Sequence, residues 1–373
     1  MGKQDARLIF PKYTKTQVRK AGDAVRSDSL TQEHEKIIEN WRSSHNHILN
    51  TWLVTLLHRI QKEQIPATTG QRLKRKNTIY DKLKRDGTSA MSLPRMYDIA
   101  GCRVVFDNLA DLYNFRDAML TTARFRHKRI KKYHKDYINK PKNSGYRGIH
   151  DIYEYKADPR RPKHWDGLFV EIQYRTKYQH AWSTAVEVAD IVKKSRTKFS
   201  DKANAEQNKF FQYASEIIAR IYENSKSCCK DMSDRELVNS FISLESKLGL
   251  LKLLESINVL SLTLSENDKR AIIIWLHIEN DEPNVVTLPF KKLSEANKKL
   301  FELEKEYPKD DIVLVKSDNA GSIRNVFKNY FTDAMDFVKY IKAALKALNE
   351  GKQLTDIGDL SKRSPRQLVL FED

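Results

Sequence analysis

Four short segments of the chain carry the side chains that chemistry at a phosphate would need. Residues 70–83 (GQRLKRKNTIYDKL) set Arg72, Lys74, Arg75, Lys76 and Lys82 just ahead of and inside a short helix. Such donors suit phosphate oxygens, whose burial without compensating charge is costly. Next, Tyr97-Asp98-Ile99-Ala100-Gly101-Cys102-Arg103 places a carboxylate at the entry to a strand beside that basic cluster. A carboxylate in that position can hold Mg²⁺ bridging nucleotide phosphates. In residues 140–150 (KPKNSGYRGIH), Lys140, Lys142, Arg147 and His150 surround Gly145 and Tyr146. An aromatic face among cationic donors suits stacking of a base while its phosphate or sugar is held. Last comes Glu171-Ile172-Gln173-Tyr174-Arg175-Thr176, where alternation puts Glu171, Gln173 and Arg175 on one face of a strand. A carboxylate among apolar strand residues is expensive unless paired or bound to metal, so a Glu171–Arg175 pair is the alternative to a metal site.

These side chains need elements to hold them. Apolar spacing from Ile37 to Ile60 predicts one helix over residues 31–62. Residues 101–106, 149–155 and 168–174 read as strands, and 109–122 as a helix between the first two. The polar, Pro-bearing stretch 156–167 is a loop. Helices interleaved with strands make a mixed α and β catalytic unit the expectation. From 203 to 256 the pattern is helical in two segments, broken near Cys228-Cys229 and Ser233. Beyond it, strands at 271–278 and 284–290, a helix at 291–306, a strand at 311–316 and a helix at 322–348 give a ββαβα order. The end, Leu368 to Phe371, is apolar and is expected to dock on the body.

Charge divides the chain where the pattern changes. The net charge is +18, yet residues 230–373 hold 22 basic and 24 acidic side chains, leaving 45 against 25 before them. All the excess positive charge therefore lies in residues 1–229, and polyanions such as nucleotides or RNA are the expected partners. No apolar run is long enough to span a membrane. Three cysteines, Cys102, Cys228 and Cys229, make neither a disulfide framework nor a zinc quartet. A reduced, cytoplasmic protein is expected.

Taken in order, the four segments resemble the RelA/SpoT synthetase domain over roughly residues 30–200. The R-x-K, S/T-I and Lys pattern is met by Arg72, Lys74, Thr78, Ile79 and Lys82, and D-x-x-x-x-R by Asp98 and Arg103. K-x-x-G-Y-x-x-x-H is met by Lys142, Gly145, Tyr146 and His150, and E-x-Q-x-R-T by Glu171, Gln173, Arg175 and Thr176. The resemblance implies an α+β fold, with a mixed-sheet nucleotidyltransferase domain and flanking helices at residues 1–229. It also implies transfer of pyrophosphate from ATP to a ribose hydroxyl. Asp98 and Glu171 would hold Mg²⁺, with Glu171 accepting the proton of the attacking hydroxyl. Arg72 and Arg103 would pack on the adenine or its phosphates, and Lys74 and Lys82 would neutralise the triphosphate. Tyr146 would stack the acceptor base, with Lys142, His150, Gln173 and Arg175 completing the acceptor site.

Farther along, the chain is similar to the fused toxin–antitoxin synthetases called CapRel. That likeness implies a regulatory domain at residues 230–373, resembling a zinc finger without its metal ligands. The same likeness implies inhibition in cis and a phage capsid protein as trigger. No hydrolase module is expected, because about 30 residues precede the first expected helix. The acceptor stays open between GDP or GTP and the 3′ end of tRNA. Ser144-Gly145-Tyr146-Arg147-Gly148 departs from the alarmone loop N-G-Y-Q/R-S, which weakens guanine selectivity. Residues 124–135 (RFRHKRIKKYHK), with Lys128, Arg129, Lys131 and Lys132, add charge that suits a tRNA acceptor stem.

Overall fold

The computed structural model describes residues 9–74, 76–85, 91–121, 126–160, 162–194, 201–255, 271–279, 282–290, 292–307, 311–316 and 323–350. Arg75, Arg124 and the apolar end at 368–371 lie outside the described residues. Two compact units emerge, one built from residues 1–136 and 148–176, the other from 137–147 and 177–362.

The first unit opens with α1 (Lys15–Arg26), α2 (Gln32–Ser44) and α3 (Asn46–Glu63). Helix α1 begins well before the expected first helix. Its start is written in the sequence as a capping box, Thr14 bonding the Gln17 amide while Gln17 bonds back. Gly22 lets α1 lie against the turn ahead of Asp98, since a Cβ there would stand 2.9 Å from Leu93 Cβ. The single helix expected over 31–62 is two. At the break, Ser44 Oγ donates to the Trp41 carbonyl and His45 Nδ1 contacts the same oxygen at 2.7 Å, so side chains compete for the helical acceptor.

The strands are β1 (Ala67–Leu73), β2 (Ala100–Phe106), β3 (Lys128–Arg129), β4 (Lys135–Asp136), β5 (Ile149–Glu154) and β6 (Phe169–Thr176). The helices between them are α4 (Lys76–Lys84) and α5 (Leu109–Thr121). Among the described residues these strands form one mixed sheet in the order β1-β2-β6-β5-β3, with β4 also on β5. Only β2 and β6 run parallel. One face is apolar: Cys102, Val104, Phe106, Val170, Ile172, Tyr174 and Tyr153 are buried, and α3 and α5 cover them. The other face carries Arg72, Arg103, His150, Glu171, Gln173 and Arg175. This division is the alternation expected of a sheet with one packed face.

The second unit contains α6 (Lys177–Lys194), α7 (Asp201–Tyr222) and α8 (Asp234–Leu248). Strands β7 (Ala271–Glu279), β8 (Glu282–Phe290) and β9 (Asp311–Lys316) follow, with α9 (Leu293–Glu306) between the last two and α10 (Ile323–Asn349) after them. The strands pair antiparallel in the order β8-β7-β9, around Ile273, Leu303 and Ile312. The main core of this unit joins Trp182, Phe210, Phe211, Ile217 and Ile218 to Leu237, Phe241, Phe337, Val338 and Ile341. The boundary expected at 229/230 runs through that core.

Candidate active site

Strand register decides which predicted residues share a surface. Arg72 pairs with Gly101, Gly101 with Glu171, Arg103 with Gln173, His150 with Gln173, and Ile152 with Glu171. Paired residues point to the same side of a sheet, so Arg72, Arg103, Glu171, Gln173, Arg175 and His150 all rise from the polar face. Glu171 stands between Gly101 and Ile152, and the missing side chain of Gly101 leaves space beside the carboxylate.

Both oxygens of Glu171 are engaged. His150 Nδ1 lies 2.9 Å from Oε1, and Gln173 Nε2 donates to Oε2 at 2.6 Å. Arg175 Nη2 donates to Gln173 Oε1 at 3.0 Å, so the guanidinium supports Glu171 through the glutamine. Burial pushes the Glu171 pKa up, but the His150 and Gln173 contacts outweigh it and hold the group below its ordinary value. His150, expected on the acceptor, is therefore also a partner of the candidate base.

Asp98 lies ahead of β2, beyond a 3₁₀ turn at Leu93–Arg95. Lys74 Nζ reaches it at 2.9 Å, and Lys82 Nζ from α4 at 2.9 Å. Lys74 is fixed by its own backbone: its amide donates to the Ile99 carbonyl at 2.8 Å, and its carbonyl accepts from Arg42 Nε at 2.8 Å. Burial opposes ionisation of Asp98, and the two ammonium groups overcome it, leaving the pKa low. The two lysines expected on the triphosphate thus hold the carboxylate in this state. Asp98 in turn makes ionisation of Glu171 harder, so the two carboxylates repel one another. A divalent cation would relieve that repulsion. Among the described residues no group of three His, Cys, Asp or Glu converges for a metal. A carboxylate pair still fits Mg²⁺, which commonly takes one or two carboxylates and fills its other positions with water and phosphate.

The opposite face holds a charged cluster that sequence reasoning missed. Asp151, fully buried on β5, accepts from Arg116 Nε of α5 at 3.0 Å and from Arg129 Nε at 2.8 Å, with His134 Nδ1 at 3.0 Å. Its signal in the sequence was an acid inside the alternating run IHDIYEY. Arg129, expected to contact nucleic acid, is thereby committed to a buried carboxylate. Lys128, Lys131 and Lys132 stay exposed.

The loop with Lys142 and Tyr146 belongs to the second unit. There Lys142 Nζ lies 4.5 Å from the Tyr137 ring centre and 5.1 Å from that of Tyr146, and Tyr146 meets Trp182 edge-on at 6.3 Å. Arg147, read in the sequence as a phosphate donor, is instead buried and paired with Glu223.

Residues 71–198 match the family model described as the region found in RelA / SpoT proteins. The chain is similar to the GTP pyrophosphokinase YwaC of Bacillus subtilis (strain 168), at 30% identity over 119 residues. That match takes in 31% of this chain and 54% of the relative, so the chain spans about half the length of the curated relative. Among solved structures it is similar to small alarmone synthetase 2 from Bacillus subtilis, at 24% identity and a TM-score of 0.39, covering 48% of this chain and 90% of that one. It is also similar to a GTP pyrophosphokinase family protein from Streptococcus pneumoniae, at 24% identity and a TM-score of 0.35, covering 46% and 82%. Among the described residues no helix is long and apolar enough to cross a membrane.

Proposed function

We propose that this protein transfers pyrophosphate from ATP to the 3′ hydroxyl at the CCA end of tRNA, which blocks aminoacylation and with it translation. The observation that carries the proposal is a pair of carboxylates, Asp98 bonded by Lys74 and Lys82 and Glu171 bonded by His150 and Gln173, with Arg72 and Arg103 on the same sheet face as Glu171. Attack by the 3′ oxygen on the β-phosphorus forms one P–O bond and breaks another, whose oxygen leaves with AMP. The hydroxyl proton passes to Glu171. Lys74 and Lys82 carry several donors each and neutralise the triphosphate beside Asp98, while Arg72 and Arg103 take the adenine side. Asp98 and Glu171 would hold Mg²⁺, which would supply further charge neutralisation on the phosphates. The family resemblance assigns Tyr146 and Lys142 to the acceptor base and, separately, His150, Gln173 and Arg175 to the acceptor's sugar and phosphate.

For the acceptor, exposed Lys128, Lys131 and Lys132 support a tRNA stem. A second reading, synthesis of (p)ppGpp from GDP or GTP, is supported by the relative described as a GTP pyrophosphokinase. The likeness to CapRel adds that the C-terminal part restrains the enzyme until a phage capsid protein binds it. The full chain should be incubated with γ-labelled ATP and either tRNA or GDP/GTP, with and without a phage capsid protein. Label in tRNA, increased by the capsid protein, is expected. Label confined to the guanine nucleotide would transfer the proposal to the second reading, and label in neither acceptor would end it.

A further inference from the structure

The loop at residues 142–147 is anchored to α7 by a buried polar cluster that no catalytic assignment uses. Ser215 Oγ donates to the Gly145 carbonyl at 2.5 Å and lies 3.3 Å from Arg147 Nε. Arg147 pairs with Glu223, their side chains being 3% and 1% exposed. Gln179 Nε2 from α6 donates to the other oxygen of Glu223 at 2.9 Å. Gly145 completes the contact. At a φ of +88°, a Cβ there would sit 3.0 Å from Ser215 Cβ, 3.1 Å from Gln212 Cα and 3.2 Å from the Phe211 carbonyl. The loop backbone therefore touches the helix backbone, which only glycine permits.

Such a cluster has a cost. A buried ion pair loses hydration that its own attraction only partly restores, and apolar residues of similar volume often stabilise a fold as well or better. What the charged arrangement adds is direction, because Arg147 reaches both Ser215 of the helix and Glu223 just past its end and so ties the loop to it at two points. That geometry sets the ring of Tyr146, which packs against Trp182 one residue from Gly145 and one from Arg147. Inside the loop, the Gly145 amide donates to the Lys142 carbonyl at 2.8 Å and the Lys142 amide to the Tyr146 carbonyl at 3.2 Å. Lys142 and Tyr146 are thus held by the same turn.

We infer that Ser215, Arg147 and Glu223 are positioning residues that preorganise the Tyr146–Lys142 platform for a nucleobase. The inference rests on the proposed function for the identity of that ligand. Helix α7 reaches beyond the loop: its Phe211 ring lies 6.0 Å from Phe337 of α10, and its Tyr222 hydroxyl donates to the Tyr340 carbonyl at 3.0 Å. The platform and the last helix therefore share one support.

The test uses the full chain with Ser215→Ala, Glu223→Gln, and the paired change Arg147→Met with Glu223→Leu, which leaves no unpaired charge. Amide hydrogen exchange at Lys142 and Gly145 should quicken about tenfold or more, with protection in α8 unchanged. The KM for the acceptor should rise about tenfold, with KM for ATP unmoved, because only acceptor preorganisation is lost. Should the variants at the ion pair fail to fold, Ser215→Ala decides by the same two readouts. Unaltered exchange in a folded variant overturns the clamp, and equal changes in both KM values overturn its positioning role. Quickened exchange in a protein whose parent modifies neither tRNA nor GDP/GTP leaves the clamp standing and removes the proposed function instead.

Discussion

At the scale of single residues, Glu171 and Asp98 differ in how they are kept charged. Glu171 relies on His150 and Gln173, Asp98 on two lysines. Glu171→Gln removes the proton acceptor with almost no change in shape, so kcat should fall about 10²–10⁴-fold, read as AMP release. A folded variant retaining substantial turnover would take Glu171 out of the chemistry. The pH profile provides a separate check. A carboxylate whose pKa is depressed stays ionised above that lowered value and is lost only as pH falls through it. The acid limb should therefore lie below the ordinary glutamate value of 4.5. In His150→Ala, burial is less opposed, and the limb should move up in pH. An unmoved limb would separate His150 from the charge state of Glu171.

Among the elements, the short strand β3 and the turn after it show how one basic run divides. Arg129 turns inward to Asp151 while Lys128, Lys131 and Lys132 remain in solvent. Changing those three lysines to Ala should weaken tRNA binding and flatten its salt dependence by about 0.7–0.9 in log–log slope per lost phosphate contact. Filter binding across a salt series measures it. An unchanged slope, or equal damage to GDP modification, would favour the guanine nucleotide as acceptor. Asp151→Asn, by contrast, should act on stability. It leaves Arg116 and Arg129 without their buried counter-charge, a loss of about 3–5 kcal/mol in denaturant unfolding.

For the whole molecule, the important fact is that the second unit's core draws on both sides of residue 230. Phe337 of α10 is fully buried there, so Phe337→Ala should cost about 3–5 kcal/mol in denaturant unfolding. A loss below about 1 kcal/mol would mean that α10 is not integral to this core. Ending the chain at residue 229 would remove α8 and α10 and uncover Phe210 and Phe211. Restraint by the C-terminal part is therefore better tested on the full chain with an added trigger protein than by truncation.

Much of the candidate site's layout on the sheet was legible in the sequence because its signals are local. Short spacings named Asp98, Arg103, Glu171 and Gln173, and alternation placed Glu171, Gln173 and Arg175 on one face, as the register bears out. Strands β2, β5 and β6 and helix α5 were likewise read within a residue or two, since their hydrophobic periods are regular. What needed the tertiary structure was partnership. Lysine and arginine look alike in a sequence whether they await a phosphate or already hold a carboxylate. Only the fold assigned Arg129 to Asp151, Arg147 to Glu223, and Lys74 and Lys82 to Asp98. The break at His45 was hidden for a similar reason, because the polar side chains that compete there for the Trp41 carbonyl interrupt no apolar period. The boundary expected at residue 230 follows charge and composition, which report what faces solvent, whereas the second unit's core joins helices from both sides of that position. Local pattern determined which residues are chemically able. Burial and pairing, which depend on the whole fold, decided which of them are engaged and with what.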